Sequence, residues 1–193
     1  MNIILSLIII AGLILVHETG HMLAGIMQGI PRKRMSIQLM DKNHKKGFFR
    51  SLLFSISPHV ALLDSDDNLV SPFPNEIEKY VEILENFIPE ENRMYWFVAG
   101  GHALEFTTVL SIAAISLISN NNVFQEISFR ITHLSLTLTV VYMFIDLFTV
   151  YKSKQLTGGD FSGQWAISPI KTICFYLLYF TGLVSAWVIL LRR

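Results

Sequence analysis

The sequence predicts an all-α polytopic membrane protein with about four transmembrane helices and a short β-hairpin or re-entrant element in the cytoplasmic loop. Three observations carry this. The 193 residues are 52% hydrophobic with a mean hydropathy of +0.48, more apolar than a soluble domain of this length. The apolar residues gather into four runs, each about the 20 residues that a bilayer core requires. The polar residues concentrate in one connection, 31–93. The whole chain, 1–193, reads as a single membrane-embedded unit. Its net charge of zero gives no global field to attract nucleic acid, so none is expected as a partner. The one cysteine, Cys174, excludes an intrachain disulfide, and its apolar neighbours place it against lipid or in packing.

The first span covers about 2–30 and is ended by Gly29 and Pro31, a helix-stopping pair. It starts at once, without a basic leading region, so it reads as a retained span and not a removable signal. The loop that follows is basic at first (Arg32, Lys33, Arg34, Lys42, Lys45, Lys46, Arg50) and acidic later (Asp64, Asp66, Asp67, then Glu76 to Glu91). Within it, Met35–Met40 and Phe48–Leu63 predict short strands or re-entrant pieces. Asn75, with Glu78 three residues on, suggests a capping box. Ile77, Val81, Leu84 and Ile88 form the apolar stripe of an amphipathic helix over 76–87, lying on the membrane surface or covering the loop. The remaining spans are about 95–118, 129–151 and 167–191. No internal repeat is visible, which disfavours a transporter.

Lys and Arg mark cytoplasmic connections. The basic start of the long loop and Lys152/Lys154 are therefore cytoplasmic, and the connection 119–128, without Lys or Arg, is external. The N-terminus is then outside. This topology puts His17, Glu18 and His21, then His102 and Glu105, then Asp146 and Asp160 at one depth toward the cytoplasm. His133 falls toward the opposite face as a packed or interfacial histidine, and His44 and His59 are expected at the loop surface.

Ionisable groups inside a membrane span are costly and read as functional. The first span holds His17-Glu18-Thr19-Gly20-His21, an H-E-x-x-H pattern. At about 100° per residue, His17 and His21 share one helix face, one turn apart, and can grip one zinc ion. Glu18 lies beside them as a base for water made acidic by the metal. Gly20 keeps the helix slim, so that another element can approach. A catalytic zinc site needs a third protein ligand. Asp160, among Gly158, Gly159 and Gly163, ranks first, and Asp146 second, either as ligand or as the partner that holds a ligating histidine. His102 and Glu105, three apart on one helix face, are placed in the substrate cavity or around the ligands.

With these residues the chain resembles the site-2 protease family of intramembrane zinc metalloproteases. HETGH resembles that family's H-E-x-G-H. The stretches 31–40 and 57–64 are similar to its cytoplasmic hairpin and re-entrant loop, 99–106 to its A-G-P-x-x-N-F, and Gly159-Asp160 to the aspartate–glycine region that supplies its third ligand. Phe161 stands where the family has Gly, His102 where it has Pro, and Glu105 where it has Asn. Asp146-Leu147-Phe148-Thr149 is the counterpart of its N-x-x-P. The connection 119–128 holds no domain, so the resemblance is to a minimal core without a PDZ-type insert.

The resemblance implies a zinc-dependent endopeptidase with one Zn2+ per chain on His17, His21 and Asp160, and Glu18 as general base. Its substrate would be a transmembrane or membrane-proximal segment of a membrane protein or peptide precursor. The setting would be the lipid bilayer of a prokaryotic plasma membrane, the active site toward the cytoplasm, with a homo-oligomer left open. Two rivals stand beside it: a catalytically weak zinc-binding membrane scaffold, and a membrane zinc peptidase of another family whose third ligand is a glutamate such as Glu105, Glu78 or Glu82.

Overall fold

The computed structural model describes residues 3–40, 56–73, 75–119, 121–154 and 159–192. The elements run α1 (Ile3–Gln28), β1 (Met35–Met40), β2 (Ile56–Leu63), β3 (Leu69–Val70), α2 (Ile77–Phe87), α3 (Glu91–Ser119), α4 (Asn122–Ser153), α5 (Asp160–Ile167) and α6 (Pro169–Leu191). Among the described residues four helices, α1, α3, α4 and α6, are long and apolar enough to cross a membrane. They coincide with the four expected spans; α3 and α4 each start several residues earlier. α5 and β3 were not anticipated.

Local chemistry sets the ends. α1 stops at Gly29, whose φ of 107° is open to glycine. Gly29 N–H donates to the Ile26 carbonyl at 3.1 Å and Ile30 N–H to Gly25 at 2.9 Å, a paired closure of the last carbonyls. Arg93, at the start of α3, donates to the Gln28 side chain at 3.0 Å and also to the Gln28 carbonyl. α4 begins where the Asn121 side chain accepts from Phe124 N–H at 3.1 Å, satisfying one open donor. α6 begins at Pro169, whose missing N–H costs nothing in a first turn.

α1 packs chiefly on α3, and Gly20 and Gly100 make this possible. A Cβ on Gly20 would overlap the Gly100 carbonyl, and one on Gly100 would lie 2.8 Å from the Gly20 carbonyl oxygen. The slimness expected of Gly20 is thus used, and its partner is α3. Deeper in the bundle, Ile9 and Leu13 of α1 pack with Val109 of α3 and with Tyr179 and Leu183 of α6. The inner face of α4 is lined by buried hydroxyls, Ser128, Thr132, Ser135 and Thr139, small polar residues of the kind that let membrane helices approach and bond. Leu7, Ile8, Phe144, Phe148, Leu177 and Leu178 are exposed outward, as a lipid-facing surface requires, and Cys174 is exposed with them.

The long connection forms a second layer at the end of α1 and α3. Its sheet has the order β1-β2-β3, both pairs antiparallel, with Met35 opposite Leu62, Ile37 opposite Val60, and Leu63 opposite Leu69. α2 covers it: Tyr80, Leu84 and Ile88 pack with Met35, Val60, Leu62 and Val70, and with Ile30 and Phe97 from the membrane helices. Of the expected stripe, Leu84 and Ile88 pack on the sheet together with Tyr80 and Ile83, as in the covering role, while Ile77 and Val81 are half-buried and line the cavity. Asn75 does not cap it; Glu76 is the N-cap residue without a side-chain cap bond, its carboxylate instead accepting from Ser71 N–H at 2.8 Å.

The β2–β3 turn is organised by Asp64. Its carboxylate accepts from Asp66 N–H at 2.9 Å, Asn68 N–H at 2.8 Å and the Lys79 ammonium at 2.6 Å, which ties the turn to α2. The Lys79 bond, with the Asn68 and Asp66 amides, holds the Asp64 carboxyl down at about 2. Burial pushes the Tyr80 phenol above its ordinary range; its hydroxyl donates to the Val60 carbonyl at 2.9 Å. His59 corrects the expectation of a surface histidine. It is buried, bonded to Ser71 Oγ at 3.0 Å and edge-on to Phe73, because β2 is the central strand and this side of it faces the rest of the chain. His44, Lys42, Lys45, Lys46, Arg50 and the start of the second predicted strand (48–55) lie outside the described residues. His133 stacks with Phe129 and Trp187 near the far end of α4, as a packed histidine should.

Candidate metal centre

Five elements converge on one point. His17 and His21 come from successive turns of α1, and their Nε2 atoms lie 3.2 Å apart. Asp160, first residue of α5, reaches both: Oδ2 is 2.6 Å from His17 Nε2 and Oδ1 is 3.3 Å from His21 Nε2. The backbone of α3 presses against the cluster at Gly101, where a Cβ would overlap the Nε2 atoms of both histidines. α4 supports the cluster through Asp146 and Ser135, and α6 closes it with Tyr176 and Tyr179.

The donor set fits a divalent ion. Tetrahedral zinc with arms of about 2.0–2.1 Å holds its ligand atoms roughly 3.3–3.4 Å apart. The edges from His21 to His17 and to Asp160, 3.2 and 3.3 Å, are already near that spacing; the His17–Asp160 edge is hydrogen-bond length. The other ring nitrogens are taken up elsewhere. His17 Nδ1 faces Glu105 Oε2 at 3.2 Å, and His21 Nδ1 faces the Phe97 carbonyl at 3.1 Å. Donation at Nδ1 leaves Nε2 as a lone-pair donor, the carboxylate- or carbonyl-oriented arrangement typical of ligating histidines.

Glu105 therefore sits behind His17, on the side away from Asp160. Its Oε1 accepts from Ser135 Oγ at 2.6 Å, so both oxygens are engaged. The notion of Glu105 as third ligand conflicts with this: it meets His17 on the nitrogen facing away from Asp160. Glu78 and Glu82 are exposed on α2. His102 is drawn into the cluster itself, its ring edge-on to His17 with centroids 4.6 Å apart and its Nε2 3.8 Å from Asp160 Oδ2.

Asp146 lines the cavity behind the histidines and Asp160, and its carboxylate bonds to α5. Its Oδ2 accepts from Ser162 N–H at 2.7 Å and its Oδ1 from Ser162 Oγ at 2.8 Å. It thus caps the first turn of α5 from outside that helix, which has no side-chain cap of its own, and a Cβ on Gly159 would overlap its carboxylate. The glycine beside Asp160 is explained: it lets α4 hold the helix that carries the third donor.

Glu18 is buried and lines a cavity of about 950 Å³ shared with His17, His21, His102, Asp146 and Asp160. The same cavity runs on to Pro58, Val60, Phe73 and Tyr80 of the sheet layer and to Tyr142 of α4. Predominantly apolar with a few convergent polar groups, it has the character of a ligand site. Sequence reasoning missed Ser162, Ser135 and the Phe97 carbonyl. The first two carried a faint signal, as hydroxyls beside the candidate aspartate and within an apolar span; a backbone carbonyl carries none.

The model of peptidase family M50 matches residues 5–191. No curated protein and no solved structure matches the chain.

Proposed function

Because the chain belongs to peptidase family M50, a family of membrane metalloproteases, we propose that it is a zinc-dependent intramembrane endopeptidase acting on a transmembrane or membrane-proximal segment of a protein or peptide precursor. The observation that carries this is the meeting of His17, His21 and Asp160 around one point, with Glu18 in the same cavity. His17, His21 and Asp160 would hold the ion, one per chain. A zinc ion there supplies Lewis acidity, polarising a carbonyl and making water acidic near neutral pH.

The chain's own groups do the rest. Glu18 accepts a proton from the attacking water and returns it to the leaving amine nitrogen. The water oxygen becomes part of the new carboxyl group, and the peptide C–N bond breaks. Glu105 and the Phe97 carbonyl hold the imidazoles in register, and Asp146 holds α5. The apolar cavity wall excludes bulk water from these charges. Since helical peptide bonds are internally hydrogen-bonded, the substrate must open before it reaches Glu18, and the cavity's extension to the sheet layer gives room for an opened segment.

The charge bias of the loops supports an N-terminus outside and the site toward the cytoplasm; we infer a prokaryotic plasma membrane as the setting, with residues 1–193 acting as one unit. The test is cleavage of a quenched single-span substrate by purified protein in detergent. Wild type is expected to cleave it. Glu18→Gln is expected to keep its zinc and lose cleavage by at least about 100-fold, as for loss of a general base. Equal cleavage by both would refute the assignment. Full zinc without cleavage in wild type, across several single-span substrates, would favour the scaffold reading.

A further inference from the structure

We propose that His102 is a fourth protein ligand of the ion, so that the resting centre holds three imidazoles and one carboxylate. This rests on reading the cluster as a metal centre, and it goes beyond the three donors assigned above. Two observations carry it.

The first is position. Among the described residues, His17, His102 and Asp160 offer donor atoms that all lie within 4.8 Å of one another. His102 Nε2 stands 3.8 Å from the same Asp160 oxygen that His17 Nε2 meets at 2.6 Å. A shift of a few tenths of an ångström brings it to the roughly 3.3–3.4 Å edge of a tetrahedral zinc site. The second is orientation. The far nitrogen of His102, Nδ1, points toward Glu105 Oε2 at 3.7 Å, too far for a hydrogen bond, while the far nitrogen of His17 meets that same oxygen at 3.2 Å. One carboxylate thus stands behind two imidazoles, and both turn their Nε2 atoms toward Asp160. A carboxylate behind a ring nitrogen is the usual support of a ligating histidine.

Packing alone does not require this residue. The ring is buried, edge-on between Tyr176 and Tyr179, a site that a phenyl ring would fill. The looser Nδ1 contact makes His102 the most readily exchanged of the four donors, so substrate or water can enter as a fifth ligand or in its place.

The experiment uses the full chain in detergent micelles, loaded with zinc alone or with cobalt alone. Zinc-edge X-ray absorption is expected to count three imidazoles in wild type and two in His102→Phe, which keeps the aromatic packing, and in His102→Gln, which keeps a polar group toward Glu105. Chelator competition is expected to show a zinc dissociation constant at least tenfold weaker in both variants, and the visible absorption of the cobalt forms should change. Two imidazoles in wild type, or unchanged affinity and cobalt spectrum in both variants, overturns the proposal and leaves the three-donor centre standing. Wild-type protein that holds no metal overturns the metal centre as well.

Discussion

Replacing Asp146 separates two ways in which a buried carboxylate can serve a metal centre. In the structure its oxygens accept from Ser162 N–H at 2.7 Å and Ser162 Oγ at 2.8 Å, and it is buried. Asp146→Ala strands a buried amide donor at the first turn of α5, at a cost of about 1–3 kcal/mol. The hydroxyl loses less, because it also reaches the Gly159 carbonyl at 3.2 Å. Losing a cap of this kind costs about 0.5–2 kcal/mol in measured series, an overlapping estimate for the same bond, so a local destabilisation of about 1–3 kcal/mol is expected. It falls on a helix of 8 residues whose first residue is Asp160. Fraying of that turn displaces the third donor, and zinc affinity should drop about 10- to 100-fold, the usual consequence of removing a group that supports a ligand.

The assay is chelator competition for zinc in detergent, paired with amide exchange across residues 160–167. Asp146→Asn keeps one acceptor oxygen and should lie between wild type and Asp146→Ala. Ser162→Ala keeps the amide bond and should weaken zinc by only a few-fold. In Asp146→Ala, exchange should speed up in α5 while α1 and α3 stay protected. If Asp146 is itself a ligand, Asp146→Asn would lose zinc as completely as Asp160→Asn while Ser162→Ala would bind like wild type. That pattern would refute the capping account.

Three further outcomes are expected. Glu105→Gln keeps size but replaces one acceptor oxygen by a donor and removes the charge behind His17 and His102, so zinc affinity should fall about 10- to 100-fold with little change in helix content by circular dichroism. Gly20→Ala forces a Cβ onto the Gly100 carbonyl; separating α1 from α3 should cost about 1–3 kcal/mol, read as a lowered melting temperature in detergent, and should weaken metal binding at the same time. Asp64, held at about 2 in the folded chain against an ordinary 3.8, binds fewer protons folded than unfolded, so its contribution to the sheet layer is complete above about pH 4 and fades as pH falls toward 2. Lys79→Met should shift that loss to higher pH, measured by amide exchange of residues 56–70.

How much of this was legible in the sequence depended on how local each signal was. The four spans and the His17–His21 face follow from periodicity within one helix, and both are found. The ends of α1 could be read from Gly29 and Pro31 because backbone geometry at a glycine is a local matter. The role of Asp146 could not be. Both it and Asp160 were visible as carboxylates that need partners, yet which one meets the histidines depends on where α5 folds back, and α5 is too short to announce itself by periodicity. The same holds for His59: its burial follows from β2 being the middle strand, and the third strand, two residues long, carries almost no signal. α2 was recognised as amphipathic, but the pattern cannot say whether lipid or a sheet takes up the apolar face.

The departures of the second motif, His102 for Pro and Glu105 for Asn, make sense as one change and not two. A carboxylate buried at this depth is costly unless it is paired, and Glu105 is paired on every side available to it, by Ser135 and by the imidazoles of His17 and His102. Placing a glutamate there with no second histidine would leave its charge leaning on His17 alone. Placing a histidine there with no glutamate would leave a buried ring nitrogen facing nothing charged. The cluster as a whole gathers the carboxylates of Glu18, Glu105 and Asp160 around three imidazoles, and neutral imidazoles cannot offset that charge. Protonated imidazoles or a divalent cation can, and where the cation does so, the docking of α5 onto α1 and α3 is expected to tighten on metal binding. Of the residues that depart from the family pattern, Glu105 thus adds to the charge that an ion would offset, and His102 adds an imidazole beside it.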